Sequence, residues 1–308
     1  MTLQQLEYII AVDRFRHFTK AAEYCRVTQP TLSAMLQKLE EELDTRIFDR
    51  NQQPVCPTPV GTHIIKQARE VLVQVNRIKN IIEEEKHSLK GTFTLGILPT
   101  IAPYLLPRFF PQLARKYPQL DFRVVEMKTA DIKKALPAGE IDAGILAQLS
   151  GLEEYSNHHL FYEKYFAYVS HSSQLAEKDV IRTSDLSNEM LWMLDEGHCF
   201  RDQLVRFCQL KSAQASQSVY HLGSMETFMR MVESGKGTTF IPELAVMQLS
   251  DAQRELVKPF AIPVPTRQIV MLTDKDYIRH TLIDALVSEI QGAVPKDMLT
   301  LKPGQAVI

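Results

Sequence analysis

From Leu3 to about residue 87, apolar positions recur at steps of three and four, the spacing of amphipathic helices. Leu3, Leu6, Ile9 and Ile10 form a first stripe. A second helix is predicted over 20–24 beneath a Thr19 cap, and a third after Thr28, with Pro30 tolerated in its first turn. In that third helix Leu32, Leu36, Leu39 and Leu43 share one face, which predicts a buried stripe and turns Pro30, Ser33, Ala34, Gln37 and Lys38 the other way. The short link Cys25-Arg26-Val27 makes the pair a helix-turn-helix, whose second helix offers its polar face to a DNA major groove. Residues 46–58 carry Pro54 and Pro57 between short apolar runs and suit a wing, with Arg50, Asn51, Gln52 and Gln53 at its tip.

A longer helix is expected from Gly61, where Ile64, Ala68, Val71, Val75, Ile78 and Ile82 step by 4, 3, 4, 3 and 4. That 3.5-residue period is a coiled-coil seam and predicts a dimer. The polar stretch 83–91 reads as a hinge. Beyond it the texture changes to strand-like runs (92–98, 122–127, 143–146, 165–170, 191–194, 218–221, 238–241, 268–272) between helical ones (102–116, 131–136, 199–210, 224–233, 278–290). Such alternation predicts mostly parallel sheets with right-handed crossovers and ligands at the carboxyl ends of strands. The expected fold class is an N-terminal all-α winged helix-turn-helix with a linker helix, then a C-terminal α/β regulatory domain of two subdomains. The expected boundaries are 1–60, 61–90 and 91–308, the last divided into 91–163 with 268–308, and 164–267.

Composition changes this picture little. At 308 residues the chain is long enough for two or three domains. Its 45% hydrophobic and 23% charged residues are those of an ordinary soluble protein, and no apolar run could span a bilayer. The N-terminus lacks a basic stretch followed by an apolar one, so a cytoplasmic protein without membrane association is expected. The net charge of −2 carries no hint of nucleic acid. Residues 1–60 hold seven basic and eight acidic side chains, a balance of −1. A helical protein-interaction module is therefore the alternative there, and DNA contact would need a small local face repeated by oligomerisation.

The run Phe18-Thr-Lys-Ala-Ala-Glu-Tyr-Cys-Arg-Val-Thr-Gln-Pro-Thr-Leu-Ser, followed by Leu39-Glu-Glu-Glu-Leu and Ile47-Phe-Asp-Arg, resembles the winged helix-turn-helix of LysR-type transcriptional regulators. The resemblance implies a reader, a linker helix and a periplasmic-binding-protein-like effector domain that together account for the whole chain. It also implies a double-stranded DNA operator, a homotetramer built as a dimer of dimers, and RNA polymerase as a further partner. Gln29, Pro30, Thr31, Ser33, Gln37 and Lys38 would face bases or phosphates, with Arg50 approaching the backbone from the wing. Asp44-Thr45 departs from the family, many members of which place a glycine in that turn.

A second passage, Gly197-His-Cys-Phe-Arg-Asp-Gln203 with Cys208 nine residues after Cys199, carries candidate thiol chemistry. A cysteine in the first turn of a helix, beside His198 and Arg201, sits where backbone N–H groups and cations stabilise a thiolate. Peroxide converts a thiolate to a sulfenic acid, which a second thiol condenses to a disulfide. Cys199 would be the peroxidatic residue and Cys208 the resolving one. If 199–208 is one helix, the two lie about 13.5 Å apart along its axis, whereas a disulfide needs Cα atoms within about 7 Å. Bond formation would then refold the segment and act as a switch.

This stretch resembles the redox segment of the family's peroxide-sensing members, as do Gly96-Ile-Leu-Pro-Thr-Ile-Ala-Pro-Tyr, Ser224-Met-Glu-Thr and Thr266-Arg-Gln. The resemblance implies that hydrogen peroxide is the signal. Thr100, Thr129, His198 and Asp202 would bind or polarise it around Cys199, and Arg267 would add positive charge. Cys25 and Cys56 read as small buried hydrophobes. His158-His159 lacks partners at metal-ligand spacing, Gly235-Lys-Gly-Thr-Thr ends a helix, and neither metal nor cofactor is expected. The competing functions are a family regulator that binds a small metabolite with its cysteines incidental, a thiol peroxidase, and a solute-binding protein. The helix-turn-helix argues against the last two, and the protein is not expected to be an enzyme.

Overall fold

The computed structural model describes residues 1–86, 89–194, 203–204, 207 and 224–308. The expected strand at 218–221 and most of the expected helix at 199–210 lie outside the described residues. The chain forms two compact units, Met1–Lys86 and His87–Ile308.

In the first unit, α1 (Leu3–Phe15) starts at a Thr2–Gln5 capping box, and α2 (Phe18–Tyr24) and α3 (Gln29–Glu42) follow. His17 caps α2 by accepting the Thr19 N–H, so Thr19 lies inside the helix and the expected cap moves two residues towards the N-terminus. Thr28 does cap α3, accepting from the Thr31 N–H. Leu32, Leu36 and Leu39 are buried against Leu6, Ile9, Val12 and Ala21, whereas Leu43 at the helix end is exposed. Asp44 then takes a left-handed conformation (φ 46°). Glycine adopts that conformation without steric cost, and Asp is among the few other residues that tolerate it.

The wing is a two-stranded antiparallel pair, β1 (Phe48–Asp49) and β2 (Cys56–Pro57). It leads into α4 (Pro59–Glu85), capped by Thr58, two residues before the expected start. A Cβ at Gly61 would fall 2.0 Å from the Ile47 carbonyl oxygen, so only glycine lets the helix start this close to the wing. Ile65 and Ala68 are buried in the unit's core. Further along α4 the seam lies open: Val71, Ile78 and Ile82 are 42%, 61% and 49% exposed.

The second unit is built on β3 (Gly91–Ile97), α5 (Ala102–Lys116), β4 (Leu120–Glu126), α6 (Thr129–Ala135), β5 (Ala143–Ala147) and β6 (Tyr155–Val169). It continues with α7 (Met225–Glu233), β7 (Thr238–Pro242), α8 (Glu243–Val246), β8 (Val257–Pro259), β9 (Val264–Asp274), α9 (His280–Ala293) and β10 (Gln305–Val307). The strand order is β4-β3-β5-β9-β6-β7, with β10 on β9 and β8 on β6. Among the described strands, β4, β3 and β5, and the β9–β10 pair, run parallel; β9 is antiparallel to β5 and β6, and β6 to β7 and β8. The expectation of a mostly parallel sheet therefore holds for one side alone. The reason is that two long strands, β6 and β9, pair directly with each other in place of helix-crossover neighbours. The expected strand at 191–194 reduces to a single bridge between Leu191 and Thr238.

Candidate functional site

On the first unit, α3 leaves Gln29, Pro30, Thr31, Gln37 and Lys38 exposed and Ser33 half-buried, because its leucine stripe faces the core. Arg50 follows β1 and is held beside this helix. Its guanidinium donates to Ser33 Oγ (3.3 Å) and Glu40 Oε2 (2.9 Å) and lies over the Phe18 ring. The other Glu40 oxygen accepts the Ile47 and Phe48 N–H groups (2.7 and 3.2 Å), so one carboxylate ties the wing to α3. Glu40 is a positioning residue that the sequence reading did not include. A cleft between wing and helices is lined by Arg16, Lys20, Gln29, Ser33, Arg50 and Gln52. Cations and amides at such a surface suit phosphate and base-edge contacts.

In the second unit Thr100 lies in the turn after β3, and Thr129 opens α6 after β4. These neighbouring parallel strands bring both threonines to the same carboxyl-end side of the sheet. Thr129 Oγ1 is buried and has no hydrogen-bond partner among the described residues. Arg267 on β9 is opposite Glu163 on β6 in the antiparallel register, and both are 1% exposed. The carboxylate lies 2.8 Å from Arg267 Nη2 and 2.9 Å from Nε. Its other oxygen accepts the Leu244 N–H (3.0 Å) at the start of α8. Burial pushes the Glu163 pKa up, while Arg267 and the Leu244 N–H pull it back.

The same guanidinium donates to Thr100 Oγ1 (3.2 Å) and Thr100 O (3.1 Å) and lies over the Tyr165 ring. The structure thus brings Thr100 and Arg267 together, and it alters the expected role of Arg267: its charge is offset locally by Glu163. Tyr104, buried in α5, donates to Glu226 (2.6 Å) just after the Ser224 cap of α7, and burial together with this bond raises its pKa. Cys199, Cys208, His198, Arg201 and Asp202 lie outside the described residues. Cys25 and Cys56 are free and half-buried, and burial raises the Cys25 pKa. Among the described residues no three His, Cys, Asp or Glu side chains group as metal ligands, and no helix is long and apolar enough to cross a membrane.

A winged helix-turn-helix on a long helix, followed by an α/β unit with a polar cluster at its strand ends, defines a ligand- or signal-responsive bacterial transcriptional regulator. The chain belongs to the LysR family: residues 3–62 match the model of the bacterial regulatory helix-turn-helix protein, lysR family, and residues 86–295 match the LysR substrate binding domain. Within the family it is similar to the hydrogen peroxide-inducible genes activator of Dickeya chrysanthemi, at 35% identity over 88% of this chain and 89% of that one. It is likewise similar to the DNA-binding transcriptional dual regulator OxyR of Escherichia coli K12, at 34% identity over 87% of this chain and 88% of that one. Among solved structures, full-length OxyR from Pseudomonas aeruginosa superposes with a TM-score of 0.75 at 34% identity, covering 94% of this chain and 98% of that one. OxyR from Porphyromonas gingivalis gives a TM-score of 0.67 at 48% identity over 71% of this chain and 99% of that one.

Proposed function

We propose that this LysR-family regulator senses hydrogen peroxide through Cys199 and Cys208. The observation that carries the reading is that a chain similar along 88% of its length to hydrogen peroxide-inducible activators has two cysteines nine residues apart in its Gly197–Cys208 passage. The Cys199 thiolate attacks one peroxide oxygen and the O–O bond breaks. The sulfur is oxidised to sulfenic acid, and the departing oxygen takes up a proton and leaves as water. Cys208 then attacks the sulfenic sulfur. The S–S bond forms, the S–O bond breaks, and a second water leaves.

Thr100, Thr129, His198 and Asp202 hold the peroxide, and Arg201 and Arg267 set the local charge, the latter in partnership with Glu163. The buried, partnerless hydroxyl of Thr129 and the Thr100–Arg267 bond support this arrangement. The regulatory unit divides into 91–163 with 268–308, and 164–267. These boundaries fall where Glu163 and Arg267 face each other across β6 and β9.

Oxidation reaches the DNA through the oligomer. The open seam of α4 pairs two chains, pairs of dimers form the tetramer, and the paired α3 helices and wings contact a cytoplasmic operator and so act on RNA polymerase. The test is operator footprinting and transcription with and without micromolar-scale peroxide, for the parent and for Cys199→Ser. The variant is expected to bind DNA yet fail to respond. An undiminished response would overturn the role of Cys199, and a parent that forms no intramolecular disulfide with peroxide would assign the protein to the metabolite-binding members, with its cysteines incidental.

A further inference from the structure

The wing arginine that the sequence pattern aims at the DNA backbone is already engaged on three sides. The Arg50 guanidinium donates to Glu40 Oε2 (2.9 Å) and to Ser33 Oγ (3.3 Å), and its carbon lies 5.3 Å from the centre of the Phe18 ring. Phe18 in turn meets the buried Phe48 ring edge-on, so the stack continues into the core. Glu40 is fixed as well. Its side chain is 11% exposed, and Oε1 accepts the Ile47 and Phe48 N–H groups where the wing begins. The carboxylate next to Arg50 in the chain, Asp49, accepts instead from the Asn51 N–H (3.0 Å) and from Gln52 Nε2 (2.9 Å). Two surface clefts meet at Arg50, one whose lining includes Arg16 and Lys20, the other lined by Glu40, Glu41 and Asp44 together with Arg46.

From this we infer that Glu40 and Arg50 are a positioning pair of the DNA-reading surface: they strut the wing against α3 and cancel each other's charge, so that Arg50 neutralises no phosphate. The inference rests on the DNA-reading role proposed above for α3 and the wing. Handing the guanidinium to a phosphate would strip it of Glu40, Ser33 and the Phe18 ring together. It would also leave a carboxylate that is only 11% exposed without its cation and beside a polyanion, where like charge repels it. The pair therefore stays closed on DNA. A cation that neutralises a phosphate releases condensed counterions and steepens the salt dependence of binding, whereas a closed pair of zero net charge does neither. Glu40 thus sets both where the wing stands and how little of its charge the DNA meets, in keeping with the balance of −1 across residues 1–60.

The experiment reads the salt dependence of DNA binding by the full-length chain. The probes are a duplex that the parent protein enriches from a random-sequence pool and a scrambled duplex of the same composition, each titrated by fluorescence anisotropy over a series of potassium chloride concentrations. Arg50→Gln removes the strut and should weaken the enriched duplex about twofold to fivefold, the scale of a half-exposed ion pair, while its slope of log affinity against log salt moves by well under 0.9. Glu40→Gln keeps an oxygen for the wing N–H groups and unmasks the guanidinium, so the slope on both duplexes should steepen by about 0.9 for each reading head on the DNA. The double variant, equal in net charge to the parent, should return to the parent slope. A loss of packing alone would lower affinity without steepening the slope. If Glu40→Gln fails to fold, Arg50→Gln alone decides the matter. An Arg50→Gln slope shallower by about 0.9 per head, Arg50→Gln binding at parent affinity, or a Glu40→Gln slope equal to the parent's would overturn the inference. A parent that enriches no duplex from the pool would overturn the DNA-reading role itself, and this inference with it.

Discussion

Removing one partner of the buried Arg267–Glu163 pair should cost far more than removing both. In Arg267→Met the Glu163 carboxylate stays 1% exposed with only the Leu244 N–H as a partner, and an uncompensated buried charge of this kind costs about 3–5 kcal/mol. Glu163→Leu takes the facing carboxylate away from a guanidinium that is 1% exposed and should cost about as much. The double variant buries no charge. It orphans the Leu244 N–H and withdraws the donors to Thr100, a loss of about 1–3 kcal/mol. The coupling energy should therefore be about 3 kcal/mol or more. Trp192, the single tryptophan of the chain, is buried in the second unit, so its fluorescence follows the unfolding of that unit alone. In urea titrations each single variant should lose the stated stability, and on heating its transition should fall by roughly 6–20 °C. Costs of the two singles that add in the double to within about 0.5 kcal/mol, or an Arg267→Met variant as stable as the parent, would refute the reasoning.

Three further outcomes are expected. Ile78→Glu places a charge on the open seam of α4; each buried isoleucine contributes about 1.5–3 kcal/mol, so sedimentation equilibrium should show dimer dissociation weakened on the order of a hundredfold or more, with operator affinity falling alongside. Asp44→Gly relieves a left-handed side chain and should stabilise the first unit by about 0.5–1 kcal/mol, read as slower amide exchange in α1–α3; faster exchange would contradict the strain. Burial opposes ionisation of Glu233, but hydrogen bonds from Gln253, Arg230 and Tyr168 outweigh it and hold the pKa below the ordinary range. A depressed folded-state pKa adds stability above the ordinary carboxylate value and loses it as pH falls through the depressed one. Glu233→Gln should therefore flatten the acid limb of the stability profile, by less than about 1 kcal/mol.

Local patterns made the first unit legible. The leucine stripe of α3, its Thr28 cap and the alternating seam of α4 are each written in residues a few positions apart. Where local signals competed, the reading slipped by a residue or two: His17 rather than Thr19 caps α2, because a histidine ring nitrogen accepts an N–H as a hydroxyl does. In the second unit most of the described strands and helices were legible, though 191–194 forms only a bridge, but their pairing was not. The β6 strand begins at Tyr155, ten residues before the expected start, because Ser156, Asn157 and His158 are polar yet pair with β9. Pairing of β6 with β9 depends on registers set a hundred residues apart, which no local period encodes. For the same reason Glu163 escaped notice. A carboxylate within Leu160-Phe-Tyr-Glu and an arginine within Val264-Pro-Thr-Arg-Gln-Ile-Val were the available signal, two opposite charges each inside a strand-like run.

The central claim is tested most directly by non-reducing peptide mapping of the full-length protein before and after stoichiometric hydrogen peroxide. Reduced protein should yield the Cys199 and Cys208 peptides separately. Oxidised protein should yield them joined, with Cys25 and Cys56 still free and the joined species lost on adding a thiol reductant. A peroxide-treated protein whose Cys199 and Cys208 remain unoxidised and unlinked would contradict the account.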